Sequence, residues 1–376
     1  MTAPRFFNEI YITVDKNFLL IYPYFQEMTS LSNHNNGVEV NMYHGRFKGS
    51  HYEAGFKYGA LLKNHGTIIN GSPTFTITDE LKAFTKSCLP VYREYYPEVL
   101  EEMKGMADGQ GSPLENIANL LLPMYCFEPD HHCTAFAVAD GTNIYLCKNS
   151  DFLVSLEKLY MNCLYALSGA HAFNGNTTAF IQIKDGMNEN GLAAALTFLY
   201  PHIRKPGLNA GMLTRYILEK CATTEEAIDA LKNLPIASAQ TITLADRNGK
   251  IAVVECNPAK LEVIRPEPGT HFVAAANCFH SETMKEYRTP SDVDSWRAEE
   301  RYETARNALA EHDGAYSLDF CEDVLSGKFG FICQYDRKTN ADTVWSAVYD
   351  VKNLRFYRVE GNPSRKPFKA DARMKF

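Results

Sequence analysis

Apolar positions along the chain follow two different periods, and the change comes near residue 132. Ahead of it the spacing is helical. After Gly49, residues Ala54, Tyr58, Leu61 and Leu62 recur at i, i+4, i+7 and i+8, the spacing of one helix face. A second helical region is predicted from about Asp79 to Met106, with interruptions near Pro90 and Pro97, because proline inside a helix removes a hydrogen bond. Ser112-Pro113-Leu114-Glu115 reads as a further helix start in which Ser caps, Pro takes the first position and Glu completes a capping box. Residues 1 to about 40 are rich in aromatic side chains, among them Tyr11, Tyr22, Tyr24 and Phe25, and read as strand or irregular structure.

Beyond residue 132 the texture is that of strands. Cys133 to Ala139 and Ile144 to Cys147, joined through Asp140-Gly141-Thr142-Asn143, form a predicted hairpin, since Asp-Gly is a strong turn signal. Further strands are predicted at 179–183, 192–197, 241–245, 251–255, 271–275 and 344–349. Helices are predicted at about 209–221, 224–233 and 296–310, with Thr223-x-x-Glu226 as a capping box. Blocks of strands separated by a block of helices imply a layered α/β fold rather than regular βαβ alternation. There is no internal repeat and no linker rich in Pro, Gly or Ser, so one large domain is expected.

Composition narrows the function. Across 376 residues, 38 basic against 45 acidic side chains give a net charge of −7, without a long basic run, which argues against nucleic-acid binding. No stretch approaches the ~20 apolar residues that span a bilayer. The apolar run Phe18 to Tyr22 has no small-residue cleavage site after it, so a secretory signal is not expected. The ten cysteines contain no CxxC pair and read as mostly free thiols of a reducing compartment, and a cytoplasmic location is expected. The chain contains no GxSxG, Walker A, HExxH or GxGxxG motif. What remains is an enzyme acting on a small molecule.

The densest chemistry is Asp130-His131-His132-Cys133-Thr134-Ala135, where the helical part meets the hairpin. Three readings compete. A metal site would use His131, His132 and Cys133 with Cys126 nearby, although adjacent residues of an extended chain point to opposite sides. Cys133 would otherwise be an ordinary buried strand cysteine. In the third reading the 132–133 peptide bond is cut, and Cys133 then carries a thiol and a free α-amino group of pKa roughly 7.7–8.0, so one residue supplies nucleophile and base. A papain-like thiol enzyme using His132 or His280 would need no cut.

Several segments in order resemble a known family. They are GSHYEAGFKYG from Gly49, YYPEVLEEMKGMADG before the cluster, CTAFAVADGTNIYLCKNSDF from Cys133, GMNENGLAAAL from Gly186, AANC ending at Cys278, DSWRAEERY from Asp294 and TVWSAVYD from Thr343. On these the chain resembles the cysteine N-terminal nucleophile hydrolases of the acyl-coenzyme A:6-aminopenicillanic acid acyltransferase type (peptidase C45-like). It looks more distantly like choloylglycine hydrolases and penicillin V acylases.

The resemblance implies a four-layer αββα sandwich, made as one chain and cut into residues 1–132 and 133–376 of a single domain. It implies Cys133 as nucleophile, Asp151 as the carboxylate orienting the new amine, and Asn277 as an oxyanion donor. The chain departs from the family in having His132 before the cysteine, where Gly is common. It has Lys148 three residues before the aspartate, where choloylglycine hydrolases have Arg, which keeps the charge without the bidentate fork. The family's Ser-Arg pair before the last core strand is replaced by Thr339-Asn340, leaving Arg337 and Arg301 as arginine candidates, and Lys148 and Thr134 are further candidate site residues. The implied activity is cleavage of an N-acylated small molecule through a thioester, or acyl transfer to an amine. No metal and no cofactor are implied, with a coenzyme A thioester as an optional acyl donor. The implied partner is the small-molecule substrate, with the two fragments forming a heterodimer and a higher homo-oligomer left open. An uncut, non-catalytic or metal-binding protein on the same fold is the alternative of another class.

Overall fold

In the computed structural model, residues 43–69, 77–127 and 132–372 are described; the structure expected for residues 1 to about 40, together with Asp130 and His131, lies outside them. The described chain opens with β1 (Tyr43–Gly49), followed by four helices: α1 (His51–Asn64), α2 (Asp79–Tyr95), α3 (Pro97–Gln110) and α4 (Leu114–Leu121). Then come β2 (His132–Ala139), β3 (Ile144–Leu153), β4 (Met161–Leu167), β5 (Phe173–Thr177), β6 (Asp185–Asn188) and β7 (Leu192–Phe198). Helices α5 (Ala210–Lys220) and α6 (Thr224–Asn233) precede β8 (Gln240–Asp246), β9 (Ile251–Cys256), β10 (Leu261–Ile264) and β11 (Phe272–Ala275). The last block is α7 (Ala298–Glu311), α8 (Leu318–Leu325), β12 (Ala341–Asp350), β13 (Arg355–Glu360) and β14 (Lys369–Ala370).

The strands form two sheets, one of eight in the order β1-β4-β5-β6-β7-β8-β9-β10 and one of six in the order β11-β2-β3-β12-β13-β14. Alternation along β2 shows how they stack. Ala135 and Ala137 join a core shared with Met187, Ala193, Ala195, Val253 and Ala347, between the sheets. Phe136 and Val138 point the other way, into a core with Ala305, Leu309 and Val324 of α7 and α8. A third core packs α1 to α6 on the outer face of the eight-stranded sheet. The order of layers is therefore helix, sheet, sheet, helix, as expected, and the alanines on the inner faces let the sheets approach closely.

Two of the recognised segments owe their glycines to this packing. Gly55 and Gly59 of α1 face Gly105 and Gly109 of α3, and a Cβ at Gly55 would land on the Glu102 carbonyl oxygen, one at Gly105 on that of Tyr52. Only glycine allows the two helix backbones so close.

Local departures from the sequence reading have physical reasons. Helix α2 runs through Pro90 without a break, because Pro90 lies on its exposed face and the lost hydrogen bond stays outside the core; the chain turns only at Tyr96, with Pro97 starting α3. Ser112 does not cap: Pro113 is the N-cap of α4 and no side chain bonds to it. The strand expected at 179–183 is a turn closed by a single Ala179–Gln182 bridge, with Phe180 at φ 59°. Strands form instead at β5 and β6. Polar side chains hid β5, since Asn174 and Asn176 are buried in a ladder with Asn162, Asp185 and Arg358. Among the described residues no helix is long and apolar enough to cross a membrane.

Candidate active site

Cys133 is the second residue of β2 and is fully buried, paired across the sheet with Ser150, while His132 pairs with Asp151. The two-residue period places the Cys133 thiol on the inner face between the sheets and the His132 ring on the outer, helical face. The Cys133 N–H donates to Asn277 Oδ1 at 2.8 Å. Its carbonyl accepts from Arg301 Nη1 at 2.7 Å. The backbone of Cys133 is thus held at both ends.

Arg301 organises this corner. Lying on α7 in line with the buried Ala298 and Ala305, it is itself fully buried. Besides the Cys133 carbonyl, Nη1 donates to Thr134 Oγ1 at 2.9 Å, and Nη2 donates to Asn277 Oδ1 at 2.9 Å and to the Ser295 carbonyl at 3.1 Å. Nε donates to the Trp296 carbonyl at 2.9 Å. Two donors converge on Asn277 Oδ1, which fixes the orientation of its amide, and Nδ2 donates to the Phe198 carbonyl at 2.6 Å. The oxyanion donor expected at Asn277 is therefore turned to Phe198 in the continuous chain, and the acceptor end meets Cys133.

Asp151 lies 3.5 Å from Arg301 Nη1, accepts from Thr343 Oγ1 at 2.6 Å and from the Tyr335 hydroxyl at 3.2 Å. Burial pushes its carboxyl up to about 6, against the pull of Arg301 and the two hydroxyls. The His132 ring stacks on Trp296 with centroids 4.4 Å apart, and burial together with Arg301 keeps it well below the usual histidine range, hence neutral. Trp296 and Arg297 both take left-handed backbone angles, φ 50° and 59°, a strain of ~1–3 kcal/mol each that bends the chain so that the Ser295 and Trp296 carbonyls meet Arg301.

A family model described as acyl-coenzyme A:6-aminopenicillanic acid acyl-transferase matches residues 138–365, more than half of the chain. The chain belongs to this family. The match covers Asp151, Asn277 and Arg301 and starts five residues after Cys133. No curated protein matches the chain. Similar solved structures include penicillin V acylase from Agrobacterium tumefaciens, at 16% identity over 61% of this chain and 82% of that one, with a TM-score of 0.43. The Caenorhabditis elegans ortholog of N-acylethanolamine-hydrolyzing acid amidase is 18% identical over 58% of this chain and 93% of that one, TM-score 0.43. A mutant conjugated bile acid hydrolase from Clostridium perfringens is 15% identical over 64% and 97%, TM-score 0.44.

In this acyltransferase-family chain the other candidates fall at different distances from Cys133. Lys148 is fully buried on the inner face, donating to the Lys184 carbonyl at 2.9 Å and pairing with Asp185 at 3.4 Å. Arg337 is not brought to Cys133: it pairs with Glu157 at 2.9 Å and Asp342 at 2.6 Å, one shell further out. His280 contacts Cys278 Sγ at 2.9 Å rather than Cys133. His132 and Cys133 face opposite sides, so they do not form the metal site considered from the sequence, and all ten cysteines are free and buried. Among the described residues the one group able to surround a metal is Cys278, His280 and Glu299, which borders Asn277 and Arg301 without including Cys133. Sequence reasoning missed Thr343, Tyr335, Trp296 and Lys184. Trp296 and Thr343 lie in the recognised DSWRAEERY and TVWSAVYD segments, and Lys184 left a weaker signal, a charge following Ile181-Gln182-Ile183.

Proposed function

We propose that the chain is a self-processing cysteine amidohydrolase that cuts its own 132–133 bond and then cleaves an N-acylated small molecule at Cys133. The observation that supports this best is the double hold on Cys133, its nitrogen on Asn277 and its carbonyl on Arg301, in a buried corner that also contains Asp151. After the cut the nitrogen of Cys133 is an amine with two acceptors in its neighbourhood, Asn277 Oδ1 and the Asp151 carboxylate. That amine takes the thiol proton, and the thiolate attacks the substrate carbonyl carbon. As the tetrahedral intermediate collapses, the C–N bond breaks, the leaving amine receives the proton and a thioester remains. Asn277 Nδ2, turned from the Phe198 carbonyl, and a backbone N–H hold the oxyanion. Water resolves the thioester and regenerates the thiol. A second reading, in which an amine resolves it, is favoured by the family's description as an acyl-transferase.

Intact mass and a substrate panel test this. Wild-type protein is expected as two fragments, residues 1–132 and 133–376, that turn over N-acyl amines, N-acyl amino acids or β-lactams. Cys133→Ala is expected as one uncut, inactive chain. A Cys133→Ala protein that is still cut, or still turns over substrate, overturns the reading. Wild-type protein that stays whole with a stoichiometric metal supports the non-catalytic alternative instead.

A further inference from the structure

The proposed α-amine base does not exist until the chain has been cut. In the continuous chain the Cys133 nitrogen is an amide and not basic, and the residue is fully buried, so its thiol proton has no solvent to go to. The first cut therefore needs a different base, and it must sit on the inner face that carries the thiol.

Most neighbours are disqualified. Asp151 and His132 alternate onto the outer face; both Asp151 oxygens accept hydrogen bonds, and His132 is stacked on Trp296. On the inner face, Ser150 Oγ lies 3.9 Å from Cys133 Sγ but is not a base, and Lys148 is spent on the Lys184 carbonyl and Asp185. The Tyr160 hydroxyl has no hydrogen-bond partner among the described residues, yet burial pushes its pKa well above the usual phenol value, so it does not ionise near neutrality.

Lys184 is left. It immediately precedes β6, is fully buried, and its Nζ has no hydrogen-bond partner among the described residues. It lies over the rings of Phe152 and Trp345, 5.2 and 5.4 Å from their centroids, both on the inner-face cluster next to the Cys133–Ser150 pair. The titratable groups that act on it electrostatically are Cys133, Lys148, Asp185, Asp151 and His132. We propose that Lys184 is the base that removes the Cys133 thiol proton in the uncut chain and so starts the self-cleavage, an inference that rests on the self-processing reading above. The proton moves from Sγ to Lys184 Nζ, and the thiolate attacks the His132 carbonyl carbon. The 132–133 C–N bond breaks as the Lys184 ammonium returns the proton to the departing nitrogen. That step leaves the α-amine free, and water then hydrolyses the His132 thioester to the His132 carboxyl group and the regenerated thiol. Burial lowers Lys184 to about 8, with Lys148 acting in the same direction against Cys133, Asp185 and Asp151, so a neutral amine is accessible near neutrality.

The experiment follows cleavage by intact mass in freshly made wild type, Lys184→Met and Lys184→Arg, with a thermal melt of each beside uncut Cys133→Ala. Both variants are expected to cut at least ~100-fold more slowly, the usual loss for a missing general base. Wild-type cleavage is expected to accelerate as pH rises through 7 and to level off above about 8, where Lys184 has lost its proton. Lys184→Arg separates proton transfer from charge, because a guanidinium stays protonated. If it cuts at the wild-type rate, or if both folded variants do, Lys184 is not the base. Wild-type chain that never cuts is a failure of the self-processing reading itself.

Discussion

Two arginines, one in each helical layer, are fully buried, and their surroundings differ in kind. Arg215 on α5 is enclosed by carboxylates: it holds Glu102 through both terminal nitrogens, at 3.0 and 2.5 Å, and Glu219 through Nε at 2.9 Å. Arg301 spends its donors on neutral acceptors around Cys133, with its one carboxylate, Asp151, at 3.5 Å. The acids respond in opposite ways. Burial works to raise Glu219, but Arg215 and His51 outweigh it and bring the group down to about 2, whereas burial wins at Asp151, which rises to about 6. Glu102, although bidentate, is also held above its usual range by burial, so Glu219 is the carboxylate that neutralises Arg215 most firmly. One centre is closed electrostatically and serves stability, while the other keeps positive charge in hand beside the proposed nucleophile.

The largest expected effect is on stability. Arg215→Met strands two buried carboxylates and should cost about 3–5 kcal/mol in urea unfolding, with activity per folded molecule changed little. Arg301→Lys should do the reverse. Loss of the fork that positions Cys133, Thr134 and Asn277 should lower turnover ~100-fold. The fold should suffer less, because Asp151 can take up a proton where Glu219 cannot. An Arg301→Lys enzyme of normal rate and low stability would erase the contrast. The smallest effect is in pH dependence. Glu219, below its unfolded value of about 4.3, contributes stability that is present above that pH and lost as pH falls towards 2. Asp151, above its unfolded value of about 3.9, contributes stability present in acid and lost as pH rises through 6, while turnover should fall below pH 6 as the acceptor for the amine is protonated. Urea midpoints and rates measured from pH 3 to 8 on wild type and Asp151→Asn should show both slopes, and only the Asp151 ones should vanish in the variant.

Much of the layered fold was legible because period-two strands such as β2 and β8 carry apolar residues on both faces. The β5 strand was not, since its buried asparagines satisfy one another across strands, and that partnership is invisible in one stretch of sequence. Cys133, Asp151 and Asn277 were legible through ordered motifs, and the fold brings them to one corner. Arg301 was ambiguous although the signal was present: it falls between Ala298 and Ala305 on the buried face of α7, while Arg297 is exposed and Arg306 only half-buried. Thr343 and Tyr335 reach Asp151 from segments nearly 200 residues away, and only the closed sheet reveals them.

The Arg215 cluster has another meaning once the proposed cut is made. Glu98, Glu102, His51 and Tyr96 belong to residues 1–132, whereas Arg215, Glu219 and Lys220 belong to 133–376. The parallel pairing of β1 with β4 crosses the same divide, while all six strands of the other sheet lie within 132–376, Asn277 and Arg301 with them. What was a cluster inside one chain then becomes a clamp between two polypeptides. The short piece would then stay bound as a subunit without a disulfide, and a weakened clamp would appear as dissociation on dilution rather than as ordinary unfolding.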